Sequence, residues 1–129
     1  MDPALAVAID SCVTESTALV IKTIRKLNEV RVFKRKCAKL GNDAFTLTEL
    51  LDKRRSAVDS LQSLQALKEC LQRVSSFVES CGALNLVGVS IEVFVKRTYP
   101  SLRKELSALR EMFLFESVVS TSIHVASHL

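Results

Sequence analysis

The chain has 129 residues, 48% hydrophobic and 25% charged, with a formal net charge of +4. That length and balance predict one globular domain with its own core and exclude a disordered chain. Three Gly, two Pro and no Trp argue against a turn-rich β fold and against an aromatic base-stacking platform.

The N-terminus, Met1-Asp2-Pro3-Ala4-Leu5, lacks the basic leader of a signal peptide, and its apolar run is interrupted at Asp10. No stretch approaches the roughly 18 apolar residues of a spanning helix, so a soluble resting state is expected. Asp2 and Pro3 form a helix start, an acid at the cap and Pro at the first helical position. Leu5, Ile9, Val13, Thr17, Val20, Ile24 and Leu27 keep helical spacing, which predicts a first helix from about Pro3 to Ile24. Val7, Cys12, Leu19 and Ile21 widen its apolar face. A break is placed near Asn28, although no Pro or Gly marks it.

A second helix is predicted over roughly Leu27 to Arg54. Val30, Phe33, Cys37, Leu40, Ala44, Leu47 and Leu51 alternate steps of three and four, the spacing of one buried face. Arg31, Lys34, Arg35, Lys36 and Lys39 surround the first half of that face. Gly41 lies inside the helix, where Gly costs about 1 kcal/mol against Ala; a kink or a close helix approach would account for it. Lys53, Arg54 and Arg55 suit the negative end of the helix dipole.

After a short connection over Ser56 to Asp59, Leu64, Leu67, Leu71, Val74, Val78 and Cys81 repeat the pattern, with Leu61, Cys70 and Phe77 beside them. Gly82 is a C-terminal stop. From Leu84 to Tyr99 the valines alternate as in a strand, but a lone strand has no partner, so a short helix is expected, ended by Pro100. A last helix then starts near Pro100-Ser101 with Leu102, Leu106, Leu109 and Phe113 inward. Met112, Leu114 and Phe115 form an apolar rim, and 119–129 reads as a frayed helix or tail. The expectation is all-α: an up-down four-helix bundle with an extra short helix, residues 1–129 forming one domain.

Catalytic chemistry finds little support. There is no GxGxxG, Walker loop or HExxH motif. Cys12, Cys37, Cys70 and Cys81 lack metal spacing and read as core thiols. His124 and His128 lack a third ligand, and Glu49 with Asp52 reads as ordinary surface pairing. No catalytic residue, metal ligand or cofactor is expected, and the domain reads as non-enzymatic.

Charge is the remaining signal. Lys22 to Arg55 holds eleven Lys or Arg against four Asp or Glu; the rest of the chain holds seven against ten. A solvated helix face explains many such runs. The functional alternatives are an anionic membrane or a nucleic acid. Without helix-turn-helix spacing or interleaved aromatics, nucleic acid is not expected as a partner.

The run Phe33-Lys34-Arg35-Lys36-Cys37-Ala38-Lys39-Leu40-Gly41, continuing to Leu47, Leu50 and Leu51, resembles the second helix of the HeLo-like (HELL) domains. These are the N-terminal four-helix bundles of the mixed lineage kinase domain-like pseudokinase, its plant counterparts and fungal cell-death proteins. Leu67-Lys68-Glu69-Cys70-Leu71 is similar to the family's third helix, and Phe94 to Leu109 to its last bundle helix. The resemblance covers roughly residues 5 to 118.

It implies a cell-death execution domain, cytoplasmic at rest, forming part of a longer protein. A regulatory C-terminal region or partner protein triggers such a bundle. It then oligomerises with itself, binds anionic phospholipid and permeabilises the plasma membrane. Lys22, Arg25, Lys26, Arg31, Lys34, Arg35, Lys36 and Lys39 would contact the head groups. In fungal members the N-terminal segment enters the bilayer; Asp10 and Glu15 make that segment a poor spanning helix here. A helical adaptor binding a protein through Met112 to Phe115 is the alternative.

Overall fold

The computed structural model describes residues 3–53, 61–82 and 88–128, with side chains over 3–53, 61–82 and 92–114. Four α-helices follow in order: α1 (Pro3–Lys26), α2 (Lys34–Lys53), α3 (Leu61–Gly82) and α4 (Gly88–His128). One 3-10 turn, Leu27–Glu29, follows α1. No strand occurs among the described residues, so the fold is the expected all-α four-helix bundle. The expected connection over Ser56 to Asp59 lies outside the described residues.

Ion pairs fix the helix directions. Glu15 pairs with Lys68 and Lys26 with Glu79, both 53 residues apart, so α1 and α3 run parallel. Arg73 pairs with Glu105, and Ser63 Oγ approaches Met112 Sδ at 3.8 Å, so α3 and α4 run antiparallel. Successive helices alternate up and down. Yet α1 packs chiefly on α3, and α4 closes the bundle against α3 and α2. The short-connection rule orders the chain; it does not decide which faces pack.

The core follows the helical spacing read from the sequence. Ile9, Val13, Val20, Cys37, Leu40, Ala44, Leu47, Leu51 and the α3 series from Leu64 to Cys81 are all buried. Leu102, Leu106, Leu109 and Phe113 complete it from α4. Phe113 is therefore core, and of the expected rim Met112 and Leu114 are half-buried. Val7 and Ile21, expected to widen the α1 face, are exposed instead. Thr23 is buried without loss because its Oγ1 donates to the Leu19 carbonyl at 2.8 Å.

Helix α2 begins seven residues later than its periodicity predicts. Val30 is buried in the same register, but it belongs to an extended connection. Arg31 and Val32 both donate their N–H groups to the Cys81 carbonyl at 3.2 and 3.4 Å, which caps the end of α3. Phe33 then turns the chain at φ 56°, a left-handed conformation costing a non-glycine residue roughly 1–2 kcal/mol. Tertiary bonds to α3 thus override a register that continues through the corner.

Gly41 and Gly82 mark close approaches beside this corner. A Cβ on Gly41 would lie 3.2 Å from Leu27 Cδ1, and one on Gly82 would lie 3.2 Å from the Glu29 carbonyl oxygen. Close approach accounts for Gly41, and α2 runs unbroken through it.

Pro100 does not end a helix. One helix, α4, runs through it from Gly88 to His128. The expected extra short helix is thereby fused into α4. Pro100 removes one helix hydrogen bond and crowds the preceding turn. Burial of Val95 and Leu102 on either side holds the helix together. Pro100 itself is exposed, so Pro100→Ala is expected to raise stability. Of the ~3 kcal/mol helix penalty, about 1 is offset by the greater freedom of the unfolded chain. A gain of about 2 kcal/mol in a urea melt is expected; no gain would show that α4 breaks there in solution.

Candidate functional site

The late start of α2 moves its basic cluster. Lys34, Arg35 and Lys36 occupy the first turn, with no acidic residue in that turn. That end carries the positive pole of the helix dipole and unpaired backbone N–H groups. Acids are favoured there, and each cation is expected to cost about 0.3–1 kcal/mol. All three are exposed, and none makes an ion pair with a described acid. The sequence places its strongest positive run where local electrostatics oppose it.

Lys36 reaches α4. Its Nζ lies 4.7 Å from the centroid of the Tyr99 ring, and the Arg103 guanidinium lies 5.9 Å from the same ring. Tyr99 is held from behind by Phe77 at 6.3 Å, and Phe77 stacks on Phe94 at 5.6 Å. An aromatic column, buried at Phe77 and half-buried at Phe94 and Tyr99, thereby backs a surface cation pair.

Two cavities open along the α2–α4 crevice. One, of about 350 Å³, has apolar walls from Phe33, Val95, Tyr99 and Pro100, with Lys36, Lys96 and Glu92 also lining it. The other, of about 250 Å³, is lined by Lys39, Arg103 and Arg110 together with Asp43, Thr46 and Ser107, over Leu106. Neither Lys39 nor Arg110 is ion-paired to a described acid. The α1–α3 and α3–α4 contacts differ, because there cations are ion-paired with acids: Lys26–Glu79, Lys68–Glu15 and Arg73–Glu105.

The eight residues singled out from the sequence therefore do not form one cluster. Lys22, Arg25 and Lys26 lie on α1, around a shallow depression with Ile21 and Glu29. Lys26 is half-buried and committed to Glu79. Arg31 is exposed on the connection. Lys34 and Arg35 stand at the α2 start, while Lys36 and Lys39 line the crevice. Sequence reasoning missed the α4 contribution of Lys96, Arg103 and Arg110. Its signal was present: the three stand seven apart, each one residue after a core position at Val95, Leu102 and Leu109.

The thiols are not poised for chemistry. All four are buried and free. Burial, with the neighbouring Cys81 thiol adding to it, pushes the Cys37 thiol up to about 12; burial, with nearby Glu105, does the same to Cys70. Cys12 and Cys81 are raised too, mainly by burial. The Cys37 thiol on α2 and the Cys81 thiol on α3 neighbour each other and influence each other's ionisation.

This has a pH consequence. Unfolded thiols ionise from 9.0, whereas the folded Cys37 and Cys70 hold their protons to about 12. The unfolded chain then binds fewer protons, so stability is full below pH 9.0 and falls as pH rises through that window. The expected slope is about 1.4 kcal/mol per pH unit for each thiol. Urea melts of the Cys37→Ala, Cys70→Ala double variant should show a shallower alkaline loss than wild type; equal slopes would contradict it.

Among the described residues, no group of three or more His, Cys, Asp or Glu side chains is arranged to hold a metal ion. One segment, Pro3–Glu29, is long and apolar enough to cross a membrane by length and composition, contrary to the expectation that none is. A mostly buried core helix and a signal sequence pass the same test; here α1 buries Ile9, Val13 and Val20, and 28% of the apolar window is buried. No protein-family model, curated protein or solved structure matches this chain.

Proposed function

We propose that this bundle is a membrane-targeting, membrane-disrupting domain of regulated cell death that binds anionic phospholipid through its cationic α2 start and α2–α4 face. The observation that carries the reading is the placement of Lys34, Arg35 and Lys36 on the positive end of α2 without an acid in that turn. Such an arrangement costs stability and pairs with no described acid, which suits a surface meant for an external anion. Each basic residue near an anionic leaflet contributes about 1 kcal/mol, so Lys34, Arg35, Lys36, Lys39 and the α4 cations suffice for reversible adsorption. Exposed Val7 and Ile21 on α1, with Lys22 and Arg25 beside Ile21, add the apolar-and-cationic pattern of interfacial helices.

The resemblance to HeLo-like bundles supplies the rest of the proposal. The domain rests in the cytoplasm, is released by a regulatory C-terminal region or partner, and self-associates at the plasma membrane. Dye release tests this. Purified protein is expected to empty vesicles containing phosphatidylserine, and to form cross-linkable oligomers on them, while leaving phosphatidylcholine vesicles intact. Equal release from both, or none from either, would reject a membrane-disrupting role.

A further inference from the structure

The two cavities of the α2–α4 crevice differ in chemistry and adjoin each other. Tyr99 walls the apolar one, Arg103 lines the cationic one, and the Arg103 guanidinium lies 5.9 Å from the Tyr99 ring. An apolar slot of about 350 Å³ falls within the range of small-molecule sites, about 300–1,000 Å³. Val95 on its wall is buried, and Phe33 reaches the slot because its left-handed backbone turns the chain there. Lys36, Lys96 and Glu92 also line the slot, and the Lys36 ammonium lies over the Tyr99 ring.

We propose that this crevice binds one single-chain anionic lipid, a lysophospholipid with a phosphomonoester head. The alkyl chain occupies the slot between Phe33, Val95, Tyr99 and Pro100. The phosphate meets Lys39, Arg103 and Arg110. This rests on the reading of the face as an anionic-lipid surface and goes beyond it, because a flat charged surface needs no slot. A slot of about 350 Å³ suits one short alkyl chain better than the two of a bilayer phospholipid. Asp43, which lines the head-group cavity with Thr46 and Ser107, would repel a bare phosphate crowded against it but accepts a hydrogen bond from a glycerol hydroxyl. A lysophospholipid offers that hydroxyl, whereas an alkyl phosphate does not.

Isothermal titration of the full chain tests this with lauroyl lysophosphatidic acid kept below its micelle concentration. Glycerol 3-phosphate serves as the head alone, and lauroyl lysophosphatidylcholine as the charge-compensated head. One lysophosphatidic acid per chain is expected, bound at least tenfold tighter than either control. Pro100→Trp fills the slot while improving the helix; it should weaken lysophosphatidic acid at least tenfold and leave glycerol 3-phosphate unchanged. Arg103→Gln with Arg110→Gln should erase the preference over lysophosphatidylcholine. Equal affinity for lysophosphatidic acid and glycerol 3-phosphate, indifference to Pro100→Trp, or binding only above the micelle concentration would overturn the slot. If any of these occurs while phosphatidylserine vesicles still bind, only the slot is wrong; if vesicles also fail to bind, the surface reading falls with it.

Discussion

Replacing Lys34, Arg35, Lys36 and Lys39 together by Glu is expected to abolish binding to anionic vesicles while leaving the fold intact. Removing the four cations costs about 4 kcal/mol of membrane attraction, near a thousandfold in affinity, and the new acids add repulsion. Stability should move the other way. Three of the positions form the first turn of α2, where acids are favoured by about 0.3–1 kcal/mol each. Against this stands the loss of the Lys36 contact with Tyr99, about 0.5–1 kcal/mol at an exposed site. A small net gain in thermal stability, together with lost binding, is the signature of cations kept for a partner and not for the fold. Retained binding to phosphatidylserine vesicles in flotation would show that other charges carry the attraction. A loss of helix by circular dichroism would show that the cluster is structural.

The second large effect belongs to Phe77. It is fully buried, stacks on Phe94 and supports Tyr99. Phe77→Ala leaves a cavity among α3 and α4 and should cost about 4 kcal/mol, a large share of the roughly 5–15 kcal/mol typical of a domain. For a chain of this length that is roughly a 15 °C fall in melting temperature. Because Tyr99 anchors Lys36 and Arg103, the variant should also weaken the α2–α4 face even at temperatures where it stays folded. Phe77→Leu, which keeps most of the volume, should recover most of the stability. A Phe77→Ala loss below about 1 kcal/mol in urea titration would mean the column does not pack as described.

The spacing of Leu40, Ala44, Leu47 and Leu51, and of Leu64 through Cys81, made the bundle legible from the sequence, since a helix must bury such a face. Two features escaped it because they are settled between helices. The α1–α2 corner has no Pro or Gly, and Val30 and Phe33 keep the helical register. The Cys81 carbonyl, receiving two N–H groups from the connection, and the left-handed turn at Phe33 delay the start of α2. Pro100 misled in the opposite sense: local sterics predict an end, while Val95 and Leu102 packing carries the helix through.

The cationic site was half legible. Its α2 members were visible as a run of consecutive charges. Lys96, Arg103 and Arg110 do not stand out as a run; their seven-residue spacing beside Val95, Leu102 and Leu109 is the only trace they leave. They gain meaning only once α2 and α4 are known to run side by side. Lys36 pointing to Tyr99 and Lys39 facing Arg103 across the crevice show that direction. On α1, Lys22, Arg25 and Lys26 looked continuous with the α2 cluster in sequence; the corner separates them, and Glu79 takes Lys26.

Co-sedimentation of the wild-type chain with vesicles of two compositions measures the central claim most directly. Binding should be strong to vesicles containing phosphatidylserine, weak to phosphatidylcholine alone, and should fall steeply as salt screens the exposed charges. Equal binding to both compositions, or binding indifferent to salt, would contradict a cationic α2–α4 face built for an anionic membrane.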